Sequence, residues 1–299
     1  MPRIVSFLPS ATEIAYTLGA GAYLVGRSHE CDFPAVVKSL PIVSKPALPI
    51  DQMTQQEIDV AVASHLASGR SLYEVDEKLL RELNPDVVFT QDLCQVCAPS
   101  GTELTQALKT LPSRPEVLYL TPRNLAEVDD NIREVGRVTN RTDQADELIE
   151  RNHQRVRDVV DAVRGAPVVR VAFLEWTDPP FSPGHWVPEM IALAGGVDAN
   201  GRSGADSVRL IWDDIVAASP DIVIVAPCGY GLAQAAGAAM HIPKIPRART
   251  FAVDANAYFA RPGPRMAEGI ELLAHIFHPD RFLWRHETAP FIELTANSQ

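Results

Sequence analysis

The chain has 299 residues, 46% of them hydrophobic and 22% charged, with a formal net charge of -11. That length suits two domains of about 100–150 residues, each large enough for its own core, and no apolar run approaches the roughly 20 residues of a membrane span. The acidic balance, without any Lys/Arg run, argues against nucleic acid and anionic lipid surfaces as partners.

Met1 passes directly into the strand-like "RIVSF", without the basic start and apolar stretch of a secretory leader, so a cytoplasmic location is expected. Ile4 to Leu8 reads as a buried strand and Pro9 as a turn. A helix follows, with Ser10 as its cap, Glu13 completing a capping box and Gly19 or Gly21 as its stop. After "AYLVG" comes the polar "RSHECDFP", with His29, Glu30, Cys31, Asp32 and Phe33. "LLREL" gives a short helix, Asn84-Pro85 breaks it, and Val87 to Phe89 forms an apolar strand of the kind buried on both faces of a parallel sheet. Gln91, Asp92, Cys94 and Cys97 follow it, and "APSGTEL" opens a helix with Ser100 as cap and Glu103 completing a second capping box. "EVLYLTP" is the next strand, with a helix from about Leu125.

From Arg141 to Arg164 the apolar residues Ala145, Leu148, Ile149, Val156, Val159, Val160 and Val163 keep a helical period with no Pro or Gly between them. A helix of that extent is roughly 36 Å long, which suits a rigid connector. The strand and helix grammar then restarts in "PVVRVAFLEW", "PEMIALAGG", "IVAASPDIVIVAPC" and "RTFAVDANAYF". Pro85-Asp86 and Pro220-Asp221 stand at matching places, each before an apolar strand that reaches a cysteine. The expected organisation is therefore an N-terminal α/β lobe over 1–138, a connecting helix over 139–166 and a C-terminal α/β lobe over 167–299.

In parallel α/β sheets, ligands bind outside the carboxyl ends of the strands. The residues that follow those ends here are Ser10, the His29 to Phe33 stretch and Gln91 in the first half. In the second they are Glu175, Trp176, Phe181, His185, Trp186, Cys228, Tyr230, Tyr258, Phe259 and Arg261. Flat aromatic surface with a few polar anchors is how a pocket for a large, partly apolar ligand is built. The plain alternative for Trp176 and Phe181 is packing, while Trp212 reads as core and His275 and His278 as helix-end residues.

The stretch "VSFLPSATEIAYTLGAGAYLVGRSHECDFP", the two "PD[VI]V" strands, "DPPF…AGG" and "YFARPGPR" resemble the substrate-binding proteins of vitamin B12 and iron-siderophore or haem ABC importers. The resemblance covers roughly residues 3–280. It implies two parallel-sheet lobes joined by one long helix, a periplasmic-binding-protein-like fold with an interlobe cleft. It also implies a small-molecule metal chelate as ligand, a cobalamin-like corrinoid first, held by Ser10, the His29 to Phe33 loop, the loop after Thr90, Trp176 to Trp186 and Tyr258 to Arg261. The chain departs from the family pattern in lacking an export signal or lipoprotein cysteine. It also carries an extra segment, roughly Met53 to Asp76, which argues against permease docking through the family's acidic residue.

The third departure is the cysteines. Cys31, Cys94, Cys97 and Cys228 all fall in expected post-strand loops, where thiolates at Cys-x-x-Cys spacing can hold zinc or an iron-sulfur centre, with His29 or His185 to complete it. A redox pair at a helix N-terminus, a thiolate bound to the chelate's own metal, and four unrelated cysteines are the other readings. No nucleophile elbow, phosphate loop or zinc-protease helix is present. The leading expectation is non-enzymatic binding of a corrinoid, haem or siderophore. The alternative is a cytosolic metal- or redox-dependent enzyme using a cysteine-lined cleft.

Overall fold

The computed structural model describes residues 1–91 and 102–294. The fold is α/β, and the chain divides into two compact units. One comprises Met1–Pro122 with Ala126–Ile149; the other comprises Arg123–Leu125 and the chain from Glu150 onward.

The first unit contains β1 (Ile4–Ser6), α1 (Pro9–Thr17), β2 (Leu24–Ser28), β3 (Ile42–Pro46), α2 (Gln55–Ala67), β4 (Tyr73–Val75), α3 (Glu77–Leu83), β5 (Val87–Thr90), α4 (Thr102–Lys109) and β6 (Glu116–Tyr119). Then come α5 (Leu125–Thr139) and α6 (Thr142–Val163), the latter within one residue of the Arg141 to Arg164 reading at each end. Its residues through Ile149 belong to the first unit and the remainder to the second. The sheet order is β4-β3-β2-β1-β5-β6, parallel throughout except for β4, which runs antiparallel to β3. Val5, Phe7, Val43, Leu80 and Val88 form its buried core with Leu104 and Ala107 of α4.

Two local expectations change. Helix α1 begins at Pro9, whose fixed φ and missing N–H suit a first helical position, so Leu8 stands at the cap and no side chain caps it. Ser10 is one residue inside the helix and nearly buried. The extra segment folds as α2 and the edge strand β4, with Thr54 and Glu57 making the reciprocal capping box that Ser10 and Glu13 do not make.

The second unit contains β7 (Val169–Leu174), the short hairpin β8 (Trp176–Thr177) and β9 (Pro180–Phe181), α7 (Val187–Leu193), β10 (Gly196–Asp198), α8 (Trp212–Ala217), β11 (Ile222–Val225), α9 (Leu232–Ala239), β12 (Arg249–Val253), α10 (Ala255–Tyr258), α11 (Met266–Phe277) and β13 (Phe291–Leu294). Its main sheet runs β10-β7-β11-β12-β13, again parallel with one antiparallel edge strand, β13 on β12. Trp212 packs against the core of Ala172, Leu174, Val223, Val225 and Ala252, as its helical pattern suggests.

The repeated Pro-Asp has a physical cause. The Asp86 carboxylate accepts the main-chain N–H of Arg3 at 2.7 Å while the Asp86 N–H donates to the Arg3 carbonyl at 2.8 Å. Asp221 makes the same pair of bonds with Arg170, at 2.9 and 2.8 Å. In each unit the aspartate ties the start of one central strand to its parallel neighbour, fixing register where the ladder begins.

Candidate ligand-binding site

In the first unit β1, β2, β3 and β5 run parallel, so the segments after them share one edge of the sheet. There the His29 ring receives three constraints. Its Nδ1 lies 3.1 Å from the Ser44 carbonyl, its Nε2 lies 3.3 Å from Glu30, and its centroid lies 5.9 Å from that of Tyr73. Asp32 and Phe33 are exposed, Phe33 to 46%, a large share for an aromatic ring. Gln91 is nearly buried at the end of β5.

Cys31 is one of the four cysteines expected to hold a metal. It is fully buried; the Thr12 hydroxyl donates to its sulfur at 3.1 Å and the Ser28 hydroxyl lies 3.3 Å away. Free cysteine is commonly buried in this way, as a small hydrophobe with a weak S–H. Cys228, in the second unit, is exposed and free. Cys94 and Cys97, like Ser100, lie outside the described residues. Among the described residues no group of three or more His, Cys, Asp or Glu is arranged to hold a metal ion.

In the second unit the carboxyl ends of β7, β11 and β12 carry the aromatic set. Trp176 sits edge-on to Tyr230, centroids 5.6 Å apart, and the Arg209 guanidinium lies over the Phe181 ring at 5.7 Å. Trp176, Phe181 and Tyr230 are all partly exposed. Trp186 and Phe259 are not presented in this way: both are buried, and the Trp186 indole donates to the Phe259 carbonyl at 2.8 Å. Phe259 also packs edge-on against Phe173 of β7. These two expected ligand contacts are internal packing, because in an irregular loop sequence spacing does not say which rings turn inward. Tyr258 is half-buried against Trp284, and burial pushes its phenol up. Arg261 is almost fully buried.

Glu175 ties the loops together. One carboxylate oxygen accepts the Gly184 N–H at 3.1 Å, and the other accepts the Ser207 hydroxyl. His185 takes a left-handed backbone conformation, φ 51°, and its Nε2 lies 3.2 Å from Asp206. Burial holds the imidazole below its ordinary range; Asp206 opposes this and Arg123 reinforces it. The stretch Ser203 to Leu210 was not legible as part of this region. It is polar and aperiodic, yet it runs alongside the expected loop through bonds from Ser182 to Val208, His185 to Ala205 and Leu210 to Pro180. No helix among the described residues is long and apolar enough to cross a membrane.

With this geometry in hand, the sequence matches the model of the periplasmic binding protein family over residues 4–252, and the chain belongs to that family. It is 23% identical over 279 residues to the vitamin B12-binding protein of Vibrio cholerae, covering 90% of this chain and 86% of that one. Among solved structures, a periplasmic haem-binding protein from Pseudomonas aeruginosa superposes with a TM-score of 0.72 at 18% identity, covering 99% of each chain. The periplasmic vitamin B12-binding protein BtuF of Vibrio cholerae gives 0.64 at 19% identity, over 91% of this chain and 95% of that one. These likenesses establish the shared fold.

Proposed function

We propose that this chain binds, without transforming, a planar metal chelate of the corrinoid or haem class through loops at the carboxyl ends of its sheets. The observation that carries the reading is the partly exposed aromatic set Trp176, Phe181 and Tyr230, which follows the carboxyl ends of the adjacent parallel strands β7 and β11. Flat rings match the faces of a flat macrocycle, and a ligand of that size gains most from apolar area removed from water. Relatives named for vitamin B12 and haem binding support the same class. His185, kept neutral by burial and held through its Nε2 beside Asp206, is the imidazole this reading assigns to the chelated metal. Ser10, His29, Glu30, Asp32, Phe33 and Gln91 are the contacts assigned to the first unit.

The reading also assigns capture to the cytoplasm, where an exposed free thiol such as Cys228 stays reduced; cell fractionation tests this. Binding is tested by titrating purified protein with cyanocobalamin and, separately, haemin while following tryptophan fluorescence. Saturable quenching in the micromolar range or tighter is expected, and no quenching up to about 1 mM, weaker than roughly -4 kcal/mol, rejects the reading.

A further inference from the structure

The loop that carries His29, Glu30, Asp32 and Phe33 has no strand or α-helix of its own, and a single buried side chain beneath it supplies much of its internal bonding. Arg27, in β2, is only 7% exposed. Its Nη1 donates to the carbonyls of Ser28 at 3.0 Å, His29 at 3.3 Å and Cys31 at 3.0 Å, and its Nη2 donates to Lys38 at 3.3 Å. Every acceptor that the described residues give this guanidinium is thus a main-chain carbonyl from the stretch 28–38. Buried carbonyls left without donors are costly, and a planar fork of five N–H groups serves several at once in a way a point-like ammonium does not.

We propose that Arg27 is the positioning residue for the ligand loop. The guanidinium gathers carbonyls 28, 29, 31 and 38 inward, and the Cys31 sulfur is taken up by Thr12 and Ser28. With the main chain pinned at those points, Asp32 and Phe33 face outward and the His29 ring keeps its place beside Glu30 and Tyr73. The proposal rests on the reading that this loop contacts a bound chelate. Arg27 itself touches no ligand in this scheme. It raises affinity by keeping the loop in its binding conformation before the ligand arrives, so that the ordering cost is not drawn from binding.

The test uses the full chain, with cyanocobalamin and haemin as probes, calorimetry for affinity and hydrogen exchange for the loop. Arg27→Lys is expected to speed exchange of amides 28–40 about tenfold or more while the amides of β1 and β5 keep their protection. It is also expected to weaken binding about tenfold with a more unfavourable binding entropy. Leu80→Ala, a truncation in the core of the same unit, is the control. It lowers stability but leaves the affinity and entropy of the folded fraction unchanged. If Arg27→Lys does not fold, Arg27→Gln, which keeps an amide donor pair without a buried charge, is read in the same way. Wild-type affinity in the variant, or unchanged exchange over 28–40, overturns the proposal. If the wild-type chain binds neither probe, it is the binding reading that fails, and the exchange arm still decides whether the guanidinium holds the loop.

Discussion

The indole N–H of Trp186 donates to the carbonyl oxygen of Phe259 at 2.8 Å, and both residues are buried. This bond ties the loop after β9 to the end of α10, so two site-bearing segments of the second unit share one internal anchor. Trp186→Phe keeps most of the ring and removes the donor, leaving a buried carbonyl unpaired. The expected loss is about 1–3 kcal/mol of stability in urea unfolding, with ligand affinity changed far less.

Trp176 is the converse case: its ring is partly exposed, while its indole nitrogen is buried without a hydrogen-bond partner among the described residues. Trp176→Ala should weaken chelate binding by about tenfold or more, roughly 1.4 kcal/mol, at a smaller stability cost than truncating a fully buried ring. Parallel calorimetric titration and thermal melting of the variant check both halves of that expectation. Equal losses in the two would assign Trp176 to packing.

His185 gives the second unit a pH dependence with a definite sign. Its folded-state pKa is lowered by burial, so between that value and the unfolded value of about 6.5 the unfolded chain binds more protons than the folded one. The stabilising contribution is therefore fully present above about pH 6.5 and is lost as pH falls through the lowered folded value. Facing the ring are Asp206, which opposes the shift, and Arg123, which adds to it. His185→Gln should flatten the part of the stability profile between pH 7 and pH 5, measured by urea midpoints at a series of pH values.

The paired aspartates carry a symmetric prediction. Asp86→Ala and Asp221→Ala each remove an acceptor for a main-chain N–H at the start of a central strand, in equivalent places of the two units. Both positions are exposed, so water takes over part of the lost bond and the expected cost is about 1 kcal/mol each. Because the sites lie in different units with no shared partner, the double variant should cost the sum.

Those aspartates also show why the fold was largely legible. Pro-Asp before an apolar run is a local device, repeated because each unit solves the same register problem, and local devices survive in sequence. The edge strands were less visible: β4 lies in a segment read only as extra, and β13 is a short antiparallel strand whose pairing with β12 depends on tertiary contact. Ser10 is not the cap, because Pro9 itself can open a helix, which shifts the cap to Leu8. In the expected site, Trp176 and Trp186 look alike in sequence, yet one is partly exposed and the other is buried and hydrogen-bonded. Nothing in the sequence marks Arg27, because a buried arginine bonded to main-chain carbonyls leaves no pattern of side-chain partners to read.

The central claim is chelate binding, and isothermal calorimetry of the intact chain with cyanocobalamin, run beside haemin, tests it most directly. The account predicts a saturable isotherm for at least one of the two, with a dissociation constant in the micromolar range or below, about -8 kcal/mol or stronger. Heats no larger than dilution for both, up to about 1 mM ligand, would contradict it.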